Sequence, residues 1–274
     1  MKNSTNTDRF EAAADAVVAG DVDGLRALLL AAPSLVHQRS SREHHAMLLH
    51  YVGANGVEQE RQRSPANAPE VARVLLASGA EPDARCDLYG GTTTLELLVS
   101  SQFPAEAGVQ ADLVEVLCRG GASAEGPDDD GSPLWTAITW GYTLAAERLA
   151  RCGARIDNVV TAAVVGGLDA VKSYFSEDGR PLTPTRLRGE RSFSHGRPCH
   201  LEHLVEYALI YAAHHGRTDV VEWLLKKAPD LSVKEPVYGG TASGMAAHAH
   251  PAAGRPNGNP HIVALIEQAR RSRG

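Results

Sequence analysis

The sequence predicts an all-α protein, a solenoid of about seven helix–turn–helix units with inserted loops. Hydrophobic residues make up 43% of the chain but aromatic residues only 5%, so alanine, leucine and valine carry most of the apolar material. Such side chains suit closely packed helices better than a thick β-sandwich. A short phrase also recurs along the chain at a period of about 33 residues. Both observations favour stacked helical hairpins.

The recurring phrase has two small residues, two variable residues and a glycine, followed by an acidic residue and a Val/Leu-rich helix that ends in Gly-Ala. It is clearest at residues 211–225, and residues 162–171 and 16–29 follow the same frame. Looser copies end at Gly121-Ala122 and at Gly153-Ala154, 32 residues apart. Glycine at a helix end accepts the left-handed conformation. Because no unit could bury its apolar face alone, we expect stability to arise from stacking.

Further fragments point to a known repeat. Ser132-Pro133-Leu134 and Leu49-His50 match parts of a Thr-Pro-Leu-His-x-Ala-Ala start, and a Tyr-Gly-Gly-Thr turn occurs at 89–92 and 238–241. Together with the Gly-Ala ends, these fragments resemble the ankyrin repeat over about residues 10 to 270. The resemblance implies a single ankyrin-repeat domain over residues 1–274. Its units would lie at roughly 10–41, 42–87, 88–127, 128–157, 158–202, 203–236 and 237–270.

Three units carry extra residues between their two helices. The additional segments are 57–70, 102–110 and 251–260, and each contains proline. Because proline interrupts helices, we interpret all three as loops, which stacking would place along one edge. A further segment, 176–202, has five arginines against one acid between positions 180 and 197. It is either a solvated loop or a clamp for a carboxylate or phosphate.

The resemblance also indicates a binding face. In ankyrin proteins the turn tips and the two variable residues before the helix-ending glycine usually face the concave groove. Protein binding on that concave face is the function that the resemblance implies. Transferred position by position, it assigns a binding role to Asn55, Tyr89, Trp140, His214, His215, Tyr238 and His248.

The 12 histidines of the chain suggest an alternative, because several fall where the groove should lie. Candidate catalytic residues are His44, His45, Tyr51, His214 and His215. They could supply acid–base groups or ligand contacts in a pocket narrowed by the inserted loops. No nucleophile elbow, phosphate-binding loop or zinc-protease motif accompanies them. Whether the protein is an enzyme that acts in a His-rich pocket therefore stays open.

His195, Cys199 and His203 form the densest cluster of potential metal ligands, at a spacing of four residues. Pro198 should interrupt the helix that this spacing would need, and the spacing matches no standard zinc signature. We therefore predict no metal site and no cofactor, although the cluster itself leaves the question of a metal open.

Composition restricts the partners and the compartment. The formal net charge of -6 provides no basic field for nucleic acid. No apolar run reaches the roughly 18 residues of a membrane span, and the first nine residues contain no signal-peptide core. Four cysteines without a Cys-x-x-Cys pair suggest reduced thiols. We expect a cytoplasmic protein that binds a protein partner or a small ligand, and neither nucleic acid nor membrane.

Overall fold

Paired helices make up most of the structure, which confirms the predicted all-α class. The computed structural model describes residues 2–182, 184–255 and 257–273, with side chains from Thr7 onward. The structure is 57% helical. Among the helices of the described residues, none is both long and apolar enough to cross a membrane. The chain divides into an N-terminal region, Met1–Asp129, and a C-terminal region, Asp130–Gly274.

The N-terminal region contains three helix pairs. The first is α1 with α2, the second is a 3₁₀ helix with α3, and the third is α4 with α6. A pair of two-residue antiparallel strands precedes α4, with Arg85 opposite Thr93. The helices and strands are α1 (Lys2–Ala19), α2 (Val22–Ala31), α3 (Ala68–Ala77), β1 (Arg85–Cys86), β2 (Thr92–Thr93), α4 (Thr94–Val99), α5 (Gln102–Glu106) and α6 (Gln110–Arg119). The 3₁₀ helices are Pro33–His37, Leu48–Gly53, Gln59–Arg61 and Leu88–Gly90.

The C-terminal region contains four more pairs: α7 with α8, α9 with α10, α12 with α13, and α14 with α15. Its α-helices are α7 (Ser132–Thr139), α8 (Thr143–Arg151), α9 (Val159–Thr161), α10 (Gly167–Lys172), α11 (Glu190–Ser194), α12 (Leu204–His214), α13 (Thr218–Leu225), α14 (Ala242–Ala247) and α15 (Pro260–Arg271). A π turn, Ala162–Gly166, extends α9, and 3₁₀ helices lie at Leu201–His203 and Pro251–Ala253. The predicted domain and its unit boundaries stay a prediction.

Polar side chains set where several helices begin. The Asp21 carboxylate accepts a backbone N–H of α2 at 2.9 Å. At the start of α4, Thr93 Oγ1 accepts from the Glu96 N–H while Glu96 Oε2 accepts from the Thr93 N–H. Asn158 Oδ1 accepts two backbone N–H groups of α9 at 3.0 Å each. These bonds satisfy amides that the first turn of a helix leaves without an internal partner.

Gly-Ala ends the outer helix in three repeats, as predicted. Gly79, Gly121 and Gly153 have φ angles of +96°, +102° and +103°. Residues with a Cβ rarely adopt this conformation, so glycine is required there. The alanine that follows each of them is buried. The chain therefore turns away from the outer helix and returns to the core within two residues.

Small residues of the inner helices and branched residues of the outer helices build the core. In the sixth pair, Ala212 and Ala213 of α12 and Val221 and Leu224 of α13 are fully buried. Alanine lets α12 pack closely against α14 on one side and α9 on the other. Burying a leucine or valine side chain contributes about 1.5–3 kcal/mol relative to leaving it exposed.

His50 braces the second pair from inside the 3₁₀ helix. Its Nδ1 accepts the Met47 N–H at 3.1 Å, so Nε2 carries the proton and donates to the Ala84 carbonyl at 3.0 Å. Burial lowers the pKa of His50 to about 4, which keeps the imidazole neutral.

All three inserted segments differ from the predicted loops. Residues 251–260 contain the 3₁₀ helix Pro251–Ala253 and end at Pro260, the first residue of α15. Residues 102–110 contain the short helix α5 with Pro104 inside it. Pro104 lies in the first turn, where its missing N–H would have had no partner within the helix. Residues 57–70 include a 3₁₀ turn and reach into α3, whose second residue is Pro69. In these segments the prolines therefore lie in the first turns of helices as well as in loops.

The fifth pair contains a π turn that the repeated phrase did not predict. In the aligned frame Gly166 should end the inner helix, but its φ is −89° and Gly167 adopts φ +76° instead. The wider turn at Ala162–Gly166 accommodates one more residue before the left-handed glycine.

Candidate binding site

Two exposed aromatic side chains from different repeats meet in the C-terminal region. Trp140 directly follows α7 and is 41% exposed, and Tyr238 lies in the turn before α14 and is 52% exposed. Their ring centroids are 6.2 Å apart with an interplanar angle of 77°, an edge-to-face contact. Such a pair offers a broad apolar surface with an N–H on one ring and an O–H on the other.

The buried carboxylate of Glu235 holds the turn that carries Tyr238. Glu235 is 1% exposed. Its Oε1 accepts the backbone N–H of Tyr238 at 2.7 Å and of Gly240 at 3.0 Å. Its Oε2 accepts the Val237 N–H at 2.7 Å and the Tyr211 hydroxyl at 3.1 Å. Four donors around one side chain fix the backbone on which Tyr238 is mounted.

The Tyr238 hydroxyl itself stays protonated. Partial burial, followed by the nearby Glu235 carboxylate, raises its pKa to about 12. The pKa of Tyr211 is raised well above its ordinary value by burial and by the same carboxylate. Both phenols therefore act as hydrogen-bond donors at neutral pH.

The arginine-rich segment, residues 176–202, donates hydrogen bonds to the turn that carries Tyr238. Arg197 donates to the Val237 carbonyl and, at 3.3 Å, to the Pro236 carbonyl. Arg188 donates to the Asp157 carboxylate and pairs with it. These two arginines of the predicted clamp are thus engaged within the chain, which favours a structural role for them.

The position of Trp140 depends on Gly141. Gly141 has φ +78°, and a Cβ there would lie 2.4 Å from His214 Nε2 and 2.8 Å from an Arg255 nitrogen. A larger residue would have to displace the side chains of His214 and Arg255 and would be strained at this φ. The end of α7 is therefore packed closely against these two side chains, next to Trp140.

His214 and His215, predicted both as binding and as catalytic residues, are buried at this corner, 3% and 4% exposed. His215 Nε2 donates to the Ile138 carbonyl at 2.9 Å, so its Nδ1 accepts from the Thr143 hydroxyl at 2.8 Å. His214 Nδ1 donates to the Met245 carbonyl at 3.1 Å. Burial lowers the pKa of His214 to about 3 and that of His215 well below its usual range. Both imidazoles are neutral and bonded to the backbone.

His248, the equivalent of His214 in the last pair, is exposed at the end of α14. Its ring centroid lies 6.1 Å from that of His214 and 6.2 Å from that of His250. Arg255 follows in the inserted segment and donates to the Gly141 carbonyl at 2.9 Å and to the His214 carbonyl. The predicted pair of histidines is therefore part of a larger basic cluster.

Two other predicted binding residues, Asn55 and Tyr89, lie together in the N-terminal region. The Tyr89 hydroxyl donates to Asn55 Oδ1 at 3.1 Å, and Asn55 Nδ2 donates to Ser100 Oγ at 2.9 Å. Tyr89 is exposed and has a left-handed backbone, φ +50°.

The predicted residues His44 and Tyr51 lie in an interior ion-pair network. Arg61, itself buried, pairs with Glu11 at 2.7 Å and with Glu58 at 3.2 Å. His44 Nδ1 accepts the Ala46 N–H, which leaves a proton on Nε2, 3.5 Å from Glu58 Oε2. Burial, then the Glu58 charge, raises the pKa of Tyr51 to about 12. These groups lie inside the N-terminal region and face other side chains of the chain.

His45, in contrast to His44, is exposed. Its Nδ1 lies 2.7 Å from Asp87 Oδ2, and its carbonyl accepts from Arg39. The structure thus separates the two adjacent histidines into one surface and one interior position.

The cluster of His195, Cys199 and His203 does not follow a single helix. His195 ends α11 in a left-handed conformation, and His203 belongs to a later 3₁₀ helix. Burial raises the pKa of the Cys199 thiol to about 11, so the thiol stays protonated. Within the described parts of the chain no three His, Cys, Asp or Glu side chains converge to hold a metal ion.

Glu235 and Arg255 are residues of these sites that sequence reasoning did not single out. Glu235 directly precedes the Pro-Val-Tyr-Gly-Gly turn, which is the one local signal for its role. A lone acid before a turn of glycines can accept the amides of that turn. Arg255 lies in an inserted segment, where no repeat position identifies a buried side chain.

Comparison with protein families supports the predicted repeat in one part of the chain. The ankyrin repeat family model matches residues 206–235, which include most of α12 and all of α13. These residues therefore match the ankyrin repeat that the sequence predicts there. A similar solved structure is the crystal structure of the human ASB11 ankyrin repeat domain, at 18% identity and a TM-score of 0.47. The similarity covers 93% of this chain and 96% of that one. The search of curated proteins found no match.

Proposed function

We propose that the protein binds a protein partner through the surface formed by Trp140 and Tyr238. Ankyrin repeats typically mediate protein–protein interaction. In the repeat frame Trp140 directly precedes a helix-ending glycine and Tyr238 lies at a turn tip, the two kinds of position that face the concave side in this family. The proposal therefore assigns the partner to the concave face of the C-terminal region.

The edge-to-face contact of the two exposed rings carries this proposal. Large aromatic side chains that remain exposed on a rigid backbone are the residues that dominate binding energy in protein interfaces. The Glu235 hydrogen bonds hold Tyr238, and the packing of Gly141 holds Trp140. Little conformational entropy would be lost when a partner covers them.

The alternative, an enzyme or small-ligand protein with a His-rich pocket, receives less support from the same region. A general base needs a free ring nitrogen within reach of a substrate. Both ring nitrogens of His215 are bonded within the chain, and His214 is 3% exposed. These side chains fit a structural role at the ends of α7 and α12.

The decisive experiment compares partner capture by three forms of the full chain in extracts of its native cells. Alanine at both Trp140 and Tyr238 should reduce binding of the captured partner at least thirtyfold, because truncation of an interface hot spot costs about 2 kcal/mol or more. Leu30→Ala, at an exposed apolar residue of α2, is the matched control and should retain the partner. A partner that binds the double variant as tightly as the wild type would refute the proposed surface.

We also propose a cytoplasmic location, on the basis of the cysteines. Cys86, Cys118, Cys152 and Cys199 all lie in described parts of the chain, and none of them forms a disulfide. Four reduced cysteines fit a reducing compartment. Fractionation of native cells would test the proposal, and recovery from an oxidising compartment would contradict it.

A further inference from the structure

The inserted segment of the last pair folds into a small hairpin that places Arg255 beside His250. The His250 N–H donates to the Arg255 carbonyl at 2.7 Å, and the Arg255 N–H donates to the His250 carbonyl at 3.0 Å. Gly254, at φ +75°, closes the turn between them. The hairpin lies over the ends of α7 and α12, where the Arg255 side chain reaches the Gly141 and His214 carbonyls.

Arg255 has no counter-charge. No carboxylate among the described residues forms an ion pair with it, and within that part of the chain its side chain bonds to the two carbonyls alone. A guanidinium has five N–H groups, so donors remain after these two bonds. One of them, the Nε–H, is buried and has no hydrogen-bond partner within the described chain. A buried donor without an acceptor destabilises the folded chain, and an added acceptor would remove that cost.

Near the guanidinium lies a row of imidazoles, those of His214, His248 and His250, whose successive ring centroids are 6.1 and 6.2 Å apart. His250 Nδ1 is also buried without a partner in the described structure, and the His250 ring contacts Tyr142 at a centroid distance of 5.0 Å. His248 lies 6.2 Å from His250, is exposed and would form the entrance. The groups of the cluster are thus all neutral or positive.

The electrostatic field within the cluster has one sign. Burial, then Arg217, lowers the pKa of Arg255 to about 10. Burial, then Arg255 and His248, lowers the pKa of His250 to about 4. Each charge effect on these two groups is repulsion by another cation, because among the described residues no acid lies close enough to oppose it.

We propose that Arg255, His248 and His250 form a binding site for an oxyanion, either a phosphate group or a carboxylate. The oxyanion would accept hydrogen bonds from the free guanidinium N–H groups and from an imidazole N–H of each histidine. The planar guanidinium is suited to both oxyanions. This proposal does not depend on the protein-partner proposal, since it concerns a different set of side chains.

Calorimetric titration of the full chain with inorganic phosphate, and separately with acetate at equal ionic strength, tests the site. We expect saturable binding of at least one of the two oxyanions, and the stronger one identifies the class of ligand. Histidine ring resonances measured by NMR in the same titration should shift for His248 and His250. The absence of both heat and shifts with both oxyanions would overturn the proposal.

His248→Ala is the deciding variant. The His248 ring is exposed and makes no hydrogen bond in the described structure, so its removal should leave the circular dichroism spectrum and the melting temperature unchanged. We expect at least threefold weaker oxyanion binding, and binding equal to that of the wild type would overturn the proposal.

Arg255→Gln should weaken binding about tenfold or more, because charge-assisted hydrogen bonds to the oxyanion are lost. Arg271→Gln, at an exposed arginine of α15, removes the same charge from the same region and should bind as the wild type does. Equal losses in both arginine variants would indicate a general charge effect and would also overturn the site. The double alanine variant of Trp140 and Tyr238 should bind the oxyanion normally, which separates this test from that of the protein partner.

Discussion

Replacing Glu235 with glutamine removes one charge and one acceptor from beneath the Tyr238 turn while conserving the shape of the side chain. The carboxylate accepts two hydrogen bonds on each oxygen. A glutamine amide keeps one accepting oxygen. Its NH₂ group would replace Oε2, which now accepts hydrogen bonds from the Val237 N–H and the Tyr211 hydroxyl, and an NH₂ group cannot accept them. Two buried donors would therefore lose their acceptor.

The magnitude follows from those two donors. Each buried donor without an acceptor costs about 1–3 kcal/mol, so the pair costs about 2–6 kcal/mol. The neutral amide avoids the desolvation penalty of a buried charge, which brings the expected loss to the lower end, about 2 kcal/mol. Since each 1.4 kcal/mol is about a factor of ten, the turn should open about thirtyfold more often.

Native-state hydrogen exchange measures this opening directly. The amides of Val237 and Gly240 should exchange about thirtyfold faster in Glu235→Gln than in the wild type. Glu222→Gln, at an exposed acid of α13, is the matched control and should leave both rates unchanged. Rates in Glu235→Gln within threefold of the wild type would refute the view that the carboxylate holds the turn.

Acidification should destabilise the protein through its buried neutral histidines. In the folded chain the pKa of His50 is about 4 and that of His214 about 3. In the unfolded chain the pKa of each histidine returns to about 6.5, so below that pH the unfolded chain binds more protons than the folded chain. Each histidine should therefore lower the free energy of unfolding by about 2 kcal/mol between pH 7 and pH 5. An equal urea midpoint at both pH values would contradict this. Exposed Ala228 has φ +54°, and Ala228→Gly should add about 0.5–1 kcal/mol by removing left-handed strain. Gly153→Ala should lower the free energy of unfolding by about 1 kcal/mol because of its φ of +103°, although the added methyl meets open space. If Gly153→Ala raised the melting temperature and Ala228→Gly lowered it, the left-handed strain assigned to these positions would be disproved. Arg61→Met removes the buried cation of the network and leaves Glu11 and Glu58 with the more exposed Arg42 as their arginine partner. The loss should be at the lower end of that for a broken buried ion pair, about 3 kcal/mol in denaturant unfolding, and a loss equal to that of an exposed arginine variant would argue against the network.

The helix pairs could be predicted because the repeat is a local pattern. The small residues at 212 and 213 lie in one helix turn, and the glycines at 121 and 153 end helices that their own neighbours form. Each signal spans fewer than about 33 residues, the length of one unit. Exposure of Trp140 and Tyr238 followed from the same frame, since the frame separates inner, outer and turn positions.

Contacts between distant residues were beyond such a pattern. His215 is buried because its ring meets the Ile138 carbonyl, 77 positions earlier in the chain. Arg255 reaches the Gly141 carbonyl across 114 positions. Neither pairing can be predicted from the neighbouring sequence, because a histidine or arginine at these positions has no local feature that distinguishes it from other polar residues. The internal position of Glu235 likewise depends on the Tyr211 hydroxyl of a neighbouring helix.

The π turn at Ala162–Gly166 bears on how strictly the winding of an inner helix must be kept in this array. Residues 162–171 are as many as the matching residues 212–221, so the fifth pair contains no added residue. Its left-handed glycine nevertheless falls at Gly167, one position after the place that matches Gly216. Val171 of α10 is still buried, as Val221 of α13 is. A local change of helical winding at this corner therefore leaves the outer helix with the same buried side.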